Sequence, residues 1–280
     1  MCAGQPFVKT HAVLMYYIVA FAISWGGMLI AIGGPGGMPG AAGRFERMIP
    51  LVALALLAGP TVGGIAMTGL AHGRRGYGDL VSRLLRWRVG WAWWLVALLA
   101  APLVMIALPM ALALLWPQYV PGLFVKADQA ALLAMGGAMG LMAGVFEEVG
   151  WTGFALPALR QRYRVLTTGL IMGALWAVWH FPVNFWSSGT AAGTLALHPL
   201  LHSLIFSVGI LPAFRVLMVW VYDRTHSLLL AMAMHASLTA GNIVLLPATA
   251  GLPLIVWSTV VAIGFWLVVA ALAAKRQLVR

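Results

Sequence analysis

The chain has 280 residues, of which 62% are hydrophobic and 8% charged, with a mean hydropathy of +0.96. Such a composition excludes an ordinary soluble domain and predicts a single integral membrane unit over residues 1–280. The net charge of +11 is carried by residues flanking apolar runs, so it reads as membrane topology rather than as a nucleic-acid surface.

Taken in chain order, apolar runs long enough to cross a bilayer fall at about 11–33, 49–72, 91–116, 129–156, 166–186, 199–222, 227–248 and 252–274. The first run is expected to be a retained span rather than a cleavable leader. The Gly/Pro-rich stretch at 33–43 reads as a loop. The stretch at 76–90 is too charged to span, and its apolar positions fit an amphipathic helix lying in the interface. With the amino terminus inside, thirteen of the seventeen Lys and Arg residues fall on inner segments. Only Arg44, Arg47 and Lys126 fall outside, and Arg215 is left within the sixth span. The expected architecture is all-α: a polytopic transmembrane bundle of about eight spans. Both termini are placed in the cytoplasm, and a bacterial inner membrane is the expected location. The single cysteine, Cys2, excludes an internal disulfide and a cysteine-based metal cluster.

Six acidic residues are present. Glu46, Asp79, Asp128 and Asp223 read as loop or border positions, whereas Glu147 and Glu148 sit side by side in LMAGVFEEVGWTGFALPAL. A carboxylate at membrane depth costs about 2.5–3.5 kcal/mol on insertion scales, so two neighbours there call for a reason. One reading is a helix end at the wet interface; the other is a polar cavity where carboxylate chemistry occurs. His180, in LWAVWHFPVNFW, and His235, in LLLAMAMHASLTAGN, place imidazoles within two further spans. Either alone is ordinary helix–helix glue. Together with an acid, they are what an enzyme needs to activate water and stabilise a charged intermediate.

FEEVGWTGFALPALRQR, WAVWHF and HASLT, in that order, resemble the three motifs of the CPBP intramembrane proteases. That family takes in CAAX prenyl endopeptidases and bacterial bacteriocin-processing and abortive-infection proteins. Its patterns are EExxxR, FxxxH and HxxxN on successive membrane helices. The resemblance covers roughly residues 129–248, with 59–90 also typical of bacterial members. It implies that Glu147 is a general base toward water and that Glu148 is the second motif glutamate. It further implies that His180 shares the water and that His235 stabilises the tetrahedral oxyanion.

Three positions depart from that pattern: Thr152 stands for the arginine, Trp176 for the phenylalanine and Thr239 for the asparagine. Thr239 keeps one hydrogen-bond donor, and Asn242, three residues on, is the candidate to compensate. Glu148 loses its i, i+4 cation, and Arg215, the one Lys or Arg deep inside a span, is the expected substitute from another helix. The other expectation for Arg215 is that it snorkels to the inner border.

Two versions of the chemistry stay open. One is a water activated directly by the carboxylate; the other is zinc held by Glu147, His180 and His235, a carboxylate and two imidazoles being a known catalytic zinc set. The helical HExxH signature is absent, and the family label of metalloprotease does not settle the metal. The expected function is endopeptidase cleavage of a peptide or membrane-protein substrate in the bilayer, with no nucleic-acid partner. The alternatives are a catalytically weak or inactive immunity or binding protein, and a proton-coupled transporter.

Overall fold

A computed structural model describes residues 11–40 and 42–278, with the side chains of 42–46 left out. Cys2, Lys9 and Arg280, and the side chains of Arg44 and Glu46, therefore lie outside the described residues. Among the described residues, eight helices are long and apolar enough to cross a membrane, and no strand is formed. In chain order these are α1 (Ala12–Ile32), α2 (Ala42–Leu84), α3 (Trp91–Ala113) and α4 (Gln129–Arg160), then α5 (Val165–Ser187), α6 (Leu197–Thr225), α7 (Leu228–Leu245) and α8 (Leu252–Ala274).

Helix ends follow local chemistry. Gly33 closes α1 with φ 83°, a left-handed conformation that glycine adopts at no steric cost. Asp128 and Ser227 cap α4 and α7, accepting from the backbone N–H groups of Ala131 and Leu230. Asp79 pairs with Arg83 at 2.9 Å and Asp223 with Arg160 at 2.6 Å. Every described acid other than the adjacent glutamates thus has a structural use.

The interfacial segment differs from its expected bounds of 76–90. A kink at Gly73 (φ 61°, ψ −152°) divides α2 into the span and a second helical piece that ends at Leu84, and residues 85–90 are irregular. The piece after Gly73 is tied to the bundle: Arg83 donates to the Gly153 carbonyl and to the Tyr222 hydroxyl, both at 2.9 Å.

Two helices widen into π turns, at Trp151–Ala155 in α4 and Ile205–Ile210 in α6. Each widening is followed within two residues by a proline, Pro157 or Pro212. A proline ring has no N–H for the preceding turn and crowds its carbonyl, and an inserted residue relieves both problems. Pro182, by contrast, is carried within an uninterrupted α5.

Close approach of α4 and α7, the most extensively packed pair, positions the site. Gly136, Gly140 and Gly144 recur every fourth residue along one α4 face. A Cβ on Gly140 would stand 2.5 Å from the Ala236 carbonyl oxygen, and one on Gly144 would overlap that of Met232. Gly140→Leu is therefore expected to force the helices apart and to lower both folded yield and thermal stability in detergent. Gly137, with nothing within 4 Å of its missing Cβ, is the control, and Gly137→Ala should be tolerated. Equal losses for the two variants would contradict this packing.

Candidate active site

Glu147 and Glu148 lie at the end of the regular part of α4, where the helix enters its π turn. Both are buried, at 5% and 0% exposure, so the wet-interface reading of the pair does not hold. Adjacent helical residues diverge by about 100°, and the two carboxylates accordingly keep different company.

Glu148 faces inward and accepts from three helices. The Thr152 hydroxyl, one turn along α4, donates to Oε2. The Arg215 guanidinium of α6 pairs with the same oxygen at 2.9 Å. His235 Nδ1 of α7 lies 2.7 Å from Oε1. Because a carboxylate beside a guanidinium only accepts, Nδ1 carries the proton, and Nε2 of His235 is left on the side of Glu147. That nitrogen is 4.0 Å from Glu147 Oε2, too far for a hydrogen bond.

Arg215 is 0% exposed, so it does not reach the membrane border. Its guanidinium carbon sits 4.1 Å from the centroid of the Trp176 ring. The α5–α6 contact that makes this possible runs through Gly173, whose missing Cβ leaves room for the backbone of Pro212.

Glu147 is held by indoles. Oε2 accepts from Trp176 Nε1 at 2.9 Å and from Trp151 Nε1 at 3.2 Å. Behind Trp151, Tyr17 stacks at 5.5 Å and Tyr16 meets it edge-on at 5.6 Å.

The remaining sequence candidates stand further off. His180 follows Trp176 by one turn of α5, and its Nδ1 is 2.9 Å from the Trp176 carbonyl. A carbonyl only accepts, so Nδ1 holds the proton and Nε2 keeps a lone pair. Among the described residues His180 makes no hydrogen bond or ion pair with either carboxylate; its ring instead packs edge-on against Trp179 at 4.8 Å. Thr239 makes no hydrogen bond to the cluster, and Asn242 leaves its buried Oδ1 without a partner among the described residues. The compensating role expected of Asn242 therefore has no contact behind it.

The donor set does not fit zinc. A three-ligand site needs donors about 2.0–2.2 Å from one point. Among the described residues no group of three His, Cys, Asp or Glu side chains is placed to hold a metal.

The two tryptophan donors are not among the residues that the sequence singles out as site candidates in their own right. One signal was present, since Trp151 follows Glu147 by four residues, the spacing that brings helix side chains together.

A larger cavity, about 800 Å³, opens elsewhere, between α1, α2 and the ends of α4 and α5. Tyr17, Phe154, His72, Arg75, Arg83 and Arg162 line it, and neither glutamate does. One aromatic layer, Tyr17 on Trp151, separates it from Glu147.

A helical membrane bundle with a buried carboxylate–imidazole–guanidinium cluster is the class of protein that fold and site define. Residues 129–241 match the family model described as type II CAAX prenyl endopeptidase Rce1-like. The chain is also 30% identical over 96 residues to the CAAX prenyl protease 2 of Methanococcus maripaludis, a stretch covering 34% of this chain and 35% of that relative. The chain thus spans about a third of the length of the curated relative it matches. Over this motif-bearing region the chain is similar to the CAAX prenyl endopeptidases.

Proposed function

We propose that the chain is an intramembrane endopeptidase that hydrolyses a peptide bond in a membrane-associated substrate with a carboxylate-activated water. The observation behind this reading is the pair of buried carboxylates held in unlike roles on one helix, with His235 between them. In this mechanism Glu147 takes a proton from water as the water oxygen bonds to the scissile carbonyl carbon. The C–N bond then breaks and the same proton passes to the leaving amine, so the base is regenerated. His235 in its imidazolium form, with Nδ1–H held by Glu148, donates Nε2–H to the developing oxyanion, and His180 Nε2 shares the attacking water. Glu148, Arg215 and Thr152 hold His235 in place; Thr239 and Asn242 are the supporting donors nearest it along α7. The matched family and relative, both named for CAAX prenyl proteolysis, make a prenylated CAAX-type peptide the first substrate to try.

Access is proposed from the basic, cytoplasmic face, which the positive-inside count and the Arg-lined cavity both support. Peptide added to inside-out vesicles should be cut, and peptide added to right-side-out vesicles should not. Cleavage only in right-side-out vesicles would overturn the topology; cleavage in neither, with a panel of prenylated and unmodified peptides, would overturn the activity. The second reading, a family member that binds without cutting, is favoured by Thr239, which places no amide at the oxyanion position. Stable substrate capture without any product is its signature.

A further inference from the structure

Trp176 stands where the family pattern has phenylalanine, and its ring nitrogen does what a phenyl ring cannot. It donates to Oε2 of Glu147 at 2.9 Å, and Trp151 donates to that same oxygen at 3.2 Å. A carboxylate oxygen offers two lone-pair directions, so Oε2 is filled. Oε1 carries no hydrogen bond among the described residues, and Glu147 keeps 5% of its surface accessible.

The face of the same ring carries a cation. Nε and Nη2 of Arg215 are buried and find no oxygen or nitrogen acceptor among the described residues, while Nη1 is committed to Glu148. The indole face at 4.1 Å is what remains to them, and tryptophan is the strongest of the aromatic partners for a guanidinium. The His235 ring lies a further 4.9 Å from the Trp176 ring, edge to face. A packing tryptophan fills volume; this one touches the proposed base, the buried cation and the anchored imidazole at once. Its burial, at 2% exposure, keeps all three contacts out of competition with water.

We propose, on the endopeptidase reading above, that Trp176 is a positioning residue for the reaction. Its N–H, with that of Trp151, pins one oxygen of Glu147 so that Oε1 alone faces water, and its ring face keeps the displaced cation Arg215 against Glu148. Two of the three departures from the family pattern, Trp176 for phenylalanine and Thr152 for arginine, are then two halves of one rearrangement: the cation has moved to α6, and the aromatic residue has enlarged to seat it.

Trp176→Phe tests the first half, since it restores the family's own residue and keeps an aromatic face while deleting the N–H. Hydrogen bonds to charged groups are strong enough that kcat is expected to fall roughly 10- to 100-fold. KM and thermal stability should change little, a split that a packing role would not produce. Trp176→Leu removes the face as well, and its stability loss should be less than additive with that of Arg215→Met. Full kcat in Trp176→Phe, or strictly additive stability losses in the second pair, overturns the proposal. If wild-type protein and Glu147→Ala alike leave every peptide uncut, the endopeptidase reading has failed. The seat for Arg215 is then decided by the stability cycle alone, where coupling supports it and additivity overturns it.

Discussion

Alanine at Glu147 is expected to reduce turnover by about 10²–10⁴, the range that a positioned general base contributes. Its neighbours in the reaction should behave as one unit with it. His235→Ala removes the imidazole that Glu148 anchors at 2.7 Å, and His180→Ala removes the free Nε2 one turn beyond Trp176. Each single loss should be severe, and combining either with Glu147→Ala should add little, because groups that act together in one transition state are not additive. The assay is initial-rate cleavage of a quenched fluorescent peptide by detergent-purified protein, with thermal unfolding measured on the same samples. Unfolding should shift far less than the rate. A Glu147→Ala variant that kept more than about a tenth of wild-type turnover would remove the carboxylate from the mechanism.

The second large effect concerns the ion pair beneath the site. Arg215 and Glu148 are both fully buried and meet at 2.9 Å, so deleting either partner strands a charge in the bundle. Breaking a buried pair typically costs about 3–5 kcal/mol, whereas replacing both partners is often nearly neutral. Arg215→Met and Glu148→Gln should therefore each destabilise strongly, and the double variant should recover part of the loss. Activity should not recover with it, because His235 loses the carboxylate that fixes its tautomer and orientation. Denaturant unfolding in detergent gives the stability cycle, and peptide cleavage gives the activity. Additive stability losses would show that the pair is not coupled.

The eight spans were legible because twenty-odd apolar residues have few other uses in a chain this hydrophobic, and the helix bounds agree to within a few residues for most of them. Helix α2 is the exception. Past the kink at Gly73 a second helical piece ends at Leu84 rather than at 90, and no local signal says that Arg83 will find Gly153 and Tyr222 far along the chain. The glutamates stood out by their neighbourhood, and Arg215 by being a lone cation deep in a span. The contact between Arg215 and Glu148 depends on a long side chain reaching from α6 across to α4, which no sequence period encodes. The hydrogen bond from Trp176 to Glu147 was hidden for a related reason: among thirteen tryptophans, interfacial anchoring and core packing are the ordinary roles, and the donated N–H crosses between helices. Zinc was open on residue types alone. Geometry decided against that ligand set, since no three such side chains are gathered to hold a metal among the described residues.

Cleavage of one defined peptide in ¹⁸O-water by wild type and Glu147→Gln, read by mass spectrometry, tests the central claim most directly. Glutamine keeps the size of the side chain and an oxygen for the two indole donors, and loses only the capacity to take a proton. The account predicts a single cut by wild type with one labelled oxygen in the new carboxylate, and no product from Glu147→Gln. Product from Glu147→Gln at a rate near wild type would contradict it.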